Sequence, residues 1–110
     1  MKIFKYPIYV GDLVQVEMLQ RAKILCVQMQ GDMPCVWALV DECMSKTVRK
    51  FRVIGTGHDA DDLCDLDASG PGVNFGFNEP RLKPHVSYVG TFQQAGGTLV
   101  WHVFDLGEAS

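Results

Sequence analysis

Between Ala22 and Asp41 the chain reads AKILCVQMQGDMPCVWALVD, two apolar runs of strand length on either side of Gly31-Asp32. Apolar segments separated by a Gly-Asp break are the signature of a β-hairpin. Within the first run Ile24, Cys26 and Gln28 alternate with Leu25, Val27 and Met29. The second, Val36 to Val40, is apolar at every position, the pattern of a central strand covered on both faces, with Trp37 as its anchor.

The same period recurs elsewhere. Lys2 to Val10 alternates, with Ile3, Lys5 and Pro7 opposite Phe4, Tyr6, Ile8 and Val10, and Pro7 marks an edge strand or a bulge. Gly11-Asp12 then predicts a turn into a second strand, Leu13 to Leu19, so the first two strands are expected to form a hairpin. Thr47 to Ile54 is a further strand, ended by Gly55-Thr56-Gly57-His58. A closing hairpin joins Val86–Gln93 to Thr98–Asp105 through Ala95-Gly96-Gly97. There Leu99, Trp101 and Val103 face one way and Val100, His102 and Phe104 the other, before a frayed tail from Gly107.

Residues 59–84 break the pattern. Asp59, Asp61, Asp62, Asp65 and Asp67 are followed by Ser69-Gly70-Pro71-Gly72 and by Asn74-Phe75-Gly76-Phe77-Asn78, with neither strand nor helix period. This is an irregular excursion from the β core, with one short helical turn expected at 61–66 and with Val73, Phe75 and Phe77 packing it down. The pattern as a whole predicts one all-β domain over residues 1–110. Its expected form is an antiparallel sandwich or partly open barrel of about six to seven strands with one long irregular loop.

Composition leaves this picture intact. At 47% hydrophobic and 21% charged the chain is that of an ordinary globular domain. A net charge of −3 argues against general nucleic-acid binding, which needs clustered cations. No apolar run reaches the length of a membrane span, and the N-terminus lacks a signal-peptide pattern, so an intracellular setting is expected. Cys26, Cys35, Cys43 and Cys64 form no Cys-x-x-Cys pair, so free thiols are expected in place of a metal site or a disulfide framework.

Candidate chemistry is sparse. Lys46, Arg49, Lys50 and Arg52 make the one basic cluster, and on a strand Lys50 and Arg52 share a face opposite Phe51 and Val53, which reads first as a solvated face. Gly55-Thr56-Gly57-His58 follows it, where glycines let a backbone approach a ligand and an imidazole adds a polar contact. A speculative ligand site therefore comprises Lys50, Arg52, Gly55, Gly57 and His58, which would meet an anion, with Trp101 or Phe77 stacking on a base. The aspartate cluster lacks the glycine and glutamate of an EF-hand loop, and the three histidines lack metal-ligand spacing. There is no Gly-x-Ser-x-Gly elbow, no cysteine-nucleophile signature and no cofactor motif, so no catalytic residue, metal or cofactor is assigned. Aromatic residues are numerous enough to suggest a partner or self-association surface.

The segments AKILCVQMQGDMPCVWALVD, RKFRVIGTGHDAD and YVGTFQQAGGTLVWHVFD resemble a group of short, uncharacterised proteins encoded largely by bacteriophages and prophages. The resemblance covers nearly the whole chain outside residues 61–84, where this sequence is longer than the group's pattern. It implies a phage or prophage origin and the cytoplasm of a bacterial host as the working compartment, but no activity. The function expected from these readings is a small phage accessory protein without catalytic activity that binds and modulates a host bacterial protein. The alternatives are a module sequestering a small anionic ligand such as a nucleotide signal, and a minor virion component; a homo-oligomer is compatible with each.

Overall fold

Seven segments take up the extended backbone that their alternation favours: β1 (Lys2–Pro7), β2 (Val14–Leu19), β3 (Lys23–Gln30), β4 (Met33–Val40), β5 (Lys46–Gly55), β6 (Ser87–Gln94) and β7 (Leu99–Glu108). The structure, a computed structural model, describes residues 1–65 and 80–109. Every pairing is antiparallel, in two sheets of order β1-β4-β3 and β2-β5-β7-β6. The sheets share no strand pairing, so the architecture is a sandwich and not a closed barrel.

Both predicted hairpins, β3–β4 about Gly31-Asp32 and β6–β7 about Ala95-Gly96-Gly97, are present. The expected β1–β2 hairpin is not. β1 pairs with β4 and β2 with β5, so Gly11-Asp12 lies on a crossover between sheets. β7 also runs on to Glu108 and pairs with Arg49, so the expected tail from Gly107 begins as strand.

The core lies between the sheets. Val36, Ala38 and Val40 of β4 meet Val14 and Met18 of β2, Phe51 and Val53 of β5, Phe92 of β6 and Val103 of β7, all buried. A bulge between Ile24 and Cys26 shifts β3 by one residue, so Ile24 faces the core with Val27 and Met29. Strict alternation had put Ile24 with Cys26; the extra residue breaks the period.

A second, smaller core lies on the outer face of the β2-β5-β7-β6 sheet. Ile54, Leu63 and Val86 are buried there against Ala60, Phe104 and Leu106. The two described arms of the excursion clasp each other, Asp65 N–H donating to Arg81 C=O and Lys83 N–H to Leu63 C=O. A short 3-10 turn spans Asp61–Leu63, within the expected helical turn. Val73, Phe75 and Phe77, expected to pack the excursion down, lie outside the described residues.

The outer face of the β1-β4-β3 sheet differs. Cys35, Trp37 and Leu39 of β4 point away from the main core and belong to neither cluster. Cys35 is buried there all the same, while Trp37 and Leu39 are half-buried, so Trp37 is not the core anchor that its sequence context suggests. No helix among the described residues is long and apolar enough to cross a membrane.

Candidate functional site

Two surfaces bring candidate residues together, one at an end of the sandwich and one on the outer face of the β1-β4-β3 sheet.

At the end where both hairpins turn, β5 stops in the turn Gly55–His58, closed by His58 N–H donating to Gly55 C=O at 3.1 Å. Gly57 stands third in it with φ +87°, a conformation that type II turns require and glycine supplies. Thr56 N–H bonds Val100 C=O and so fixes the turn to β7. The Trp101 and His58 rings both close over Gly55: a methyl group there would stand 3.2 Å from Trp101 Cζ3 and 3.3 Å from His58 Cε1. Trp101 Nε1 donates to Gln94 Oε1 at 3.1 Å, which fixes the plane of the indole.

Two hollows meet at His58 and Trp101. One, of about 330 Å³, is floored by Gly55, Thr98 and Val100; the other, of about 280 Å³, is bordered by Asp12, Arg52 and Asp59. A third hollow, of about 580 Å³, opens between the two hairpin turns beside Gln94 and Asp32.

Of the sequence-nominated residues, Arg52, Gly55, His58 and Trp101 thus line adjoining space, and Gly57 shapes the turn above it. Lys50 does not join them; it lies farther back along β5, opposite Gln15 and Gly107. Arg52 is not the free cation of a solvated face. Its Nε donates to Asp62 Oδ2 at 2.9 Å and its Nη1 to Asp12 Oδ1 at 3.2 Å. Hydrogen bonding to Asp62 raises the Arg52 pKa above its ordinary value, and the same bond lowers that of Asp62. The residues that sequence reasoning missed here are those carboxylates: Asp12 reads as part of the Gly11-Asp12 turn and Asp62 as one of the aspartates of the irregular excursion.

Along the outer face, His102 is held through both ring nitrogens, Nε2 2.7 Å from Thr56 Oγ1 and Nδ1 3.1 Å from Thr91 Oγ1. Thr91 is in turn hydrogen-bonded to the Tyr88 hydroxyl. This chain ties the turn to β6 and β7 and leaves both ring nitrogens of His102 engaged within the fold. Among the described residues no cluster of three or more His, Cys, Asp or Glu is placed to hold a metal ion.

On the outer face of the β1-β4-β3 sheet, register arranges nine residues in three rows: Ile3–Leu39–Lys23, Lys5–Trp37–Cys26 and Pro7–Cys35–Gln28. Trp37 is central, half-buried, with Lys5 Nζ 5.9 Å from the centroid of its ring. Its Nε1 is buried without a hydrogen-bond partner among the described residues. Ile3 is 61% exposed. The four cysteines are free thiols; Cys26 and Cys35 sit on this face but oppose Trp37 and Gln28, not each other. Lys5 and Lys23 are the charged members of the nine, and no carboxylate stands among them.

A family model described as Domain of unknown function (DUF7352) matches residues 1–110. No curated protein and no solved structure matches.

Proposed function

We propose, from the premise that this chain belongs to the DUF7352 family of unknown function, that it is a non-catalytic binding module which captures a protein partner on the outer face of the β1-β4-β3 sheet. One observation carries the reading. β4 has the all-apolar sequence of a strand covered on both faces, MPCVWALV, yet only its Val36–Ala38–Val40 face joins the main core; on the other face Cys35 is buried but Trp37 and Leu39 stay partly exposed among the described residues. A sequence that departs from the needs of the isolated fold marks a place where something other than folding is served.

The unpartnered Trp37 Nε1–H supports it. A buried donor without an acceptor costs about 1–3 kcal/mol, which an acceptor on a docked surface recovers. Charge favours one kind of occupant. Lys5 and Lys23 flank Trp37 on a chain of net charge −3. A second copy would bring the same lysines face to face with no carboxylate between them. A partner presenting apolar side chains ringed by Asp or Glu satisfies both features.

The resemblance to short phage and prophage proteins gives the setting: an accessory protein acting on a host protein in the bacterial cytoplasm. Capture from bacterial extract tests the reading when three forms are compared. The wild type and Leu99→Ala, altered at the loop end, are expected to retain the same acidic protein, and Lys5→Glu/Lys23→Glu to lose it. Equal retention by all three refutes the reading.

A further inference from the structure

We infer that the loop end is a second site, independent of the sheet face, and that it takes a flat aromatic group bearing a positive charge. Its size is right: the hollow against the indole, about 330 Å³, lies at the lower end of the usual range for small-molecule sites, and a second of about 280 Å³ borders the same His58 and Trp101. Its shape is set before any ligand arrives. Gly55 lets both rings close over one backbone position, and the Trp101–Gln94 and Thr56–Val100 hydrogen bonds hold the indole and the turn. One hollow is bounded mainly by neutral groups, Thr98, Leu99 and Val100 beside the indole, which suits a ring lying against Trp101.

The other hollow fixes the sign of the ligand. Asp12 and Asp59 border it, and the guanidinium of Arg52 is held by Asp12 and Asp62. These three carboxylates outnumber the one arginine. The Asp12 side chain is 99% exposed, so its carboxylate is open to an incoming group. A phosphate would have to draw Arg52 out of a two-carboxylate clamp and enter a negative field. An ammonium or amidinium group enters with the field and adds a counter-charge to Asp12 and Asp59. The polarity is thus opposite to that expected from the basic strand alone, because Arg52 spends its charge within the fold.

The probe is tryptamine, with indole-3-acetate as its ring-matched anion and adenosine monophosphate as a phosphate-bearing competitor. Amide and indole N–H resonances of the isotope-labelled protein are followed during titration. Tryptamine is expected to shift the Trp101 indole N–H and the Thr56 and Gly57 amides saturably, leaving the Trp37 indole unmoved. Asp12→Asn/Asp59→Asn, which removes two exposed charges and leaves the Arg52–Asp62 pair in place, is expected to weaken this binding about tenfold. The two anions are expected to cause no saturable shift. Either anion binding as tightly as tryptamine overturns the inference. So does tryptamine without saturable shifts at these positions, or a double variant with unchanged affinity.

Discussion

Arg49 and Asp105 are joined by a two-pronged ion pair, Nε to Oδ1 at 3.0 Å and Nη2 to Oδ2 at 2.6 Å, on neighbouring strands at the end of the sandwich away from His58. Their side chains are only 14% and 9% exposed. Arg49 Nη1 also donates to the Ala22 carbonyl, and Asp105 Oδ1 accepts from Gly107 N–H. The pair therefore seals the main core where the apolar residues stop, and it binds β5, β7 and the start of β3 together.

Removing one partner leaves the other charge buried. Arg49→Ala or Asp105→Ala is expected to cost about 3–5 kcal/mol, read as a lowered denaturant midpoint. Arg49→Met/Asp105→Leu removes both charges and is expected to recover most of that loss. Equal destabilisation by the double variant would show that the ion pair itself carries the stability.

Phe51 is fully buried at the centre of the core. Phe51→Ala is expected to cost about 3–5 kcal/mol through lost transfer free energy and the cavity left behind. Thermal or urea unfolding checks this, and a loss below about 1 kcal/mol would mean that the sheets are not packed on this ring.

The Arg52–Asp62 contact ties the excursion to β5. Because Asp62 titrates below its ordinary value of 3.8, the tie is fully present above that pH and is lost as pH falls through the lower folded value. Asp62 is 56% exposed, so the effect is small and is screened by salt. The melting temperature of Asp62→Asn is expected to lie slightly below that of the wild type at neutral pH, the two converging in acid. A gap that persists in acid would assign the loss to packing instead of charge.

Gly57 occupies φ +87°, so Gly57→Ala is expected to cost about 1–2 kcal/mol while leaving the β-sheet circular dichroism spectrum unchanged. An unaffected stability would mean that the turn rearranges freely, and the ligand site at Trp101 would then lack its fixed rim.

The parts of the fold legible in the sequence are local. Gly31-Asp32 and Ala95-Gly96-Gly97 announce hairpins because a tight turn requires residues of that kind at that place, and the alternation of Leu99, Trp101 and Val103 places the core face of β7. The partners of β1 and β2 are set by contacts far along the chain, which Gly11-Asp12 cannot signal. The bulge between Ile24 and Cys26 leaves no mark in composition, yet it reverses a face. Arg49 and Asp105 share strand parity with Phe51 and Val103, and that apolar company was the available sign of an inward-facing pair. Arg52, Gly55, His58 and Trp101, nominated from the sequence, lie near one another because strand order brings the end of β5 beside the start of β7. The neutralisation of Arg52 was not legible, since Asp12 and Asp62 reach it only through the fold. For Trp37, apolarity was legible but not which face the fold leaves partly exposed.

The central claim, that the face around Trp37 receives an acidic protein, is tested most directly by photo-crosslinking inside bacterial cells. A photoreactive amino acid is placed at Gln28, on that face, or at Gln93, at the loop end. The account predicts one discrete adduct with a second, acidic protein from position 28, none from position 93, and loss of the adduct in Lys5→Glu/Lys23→Glu. An adduct of twice the chain's own mass from position 28, or the same adduct from both positions, would contradict it.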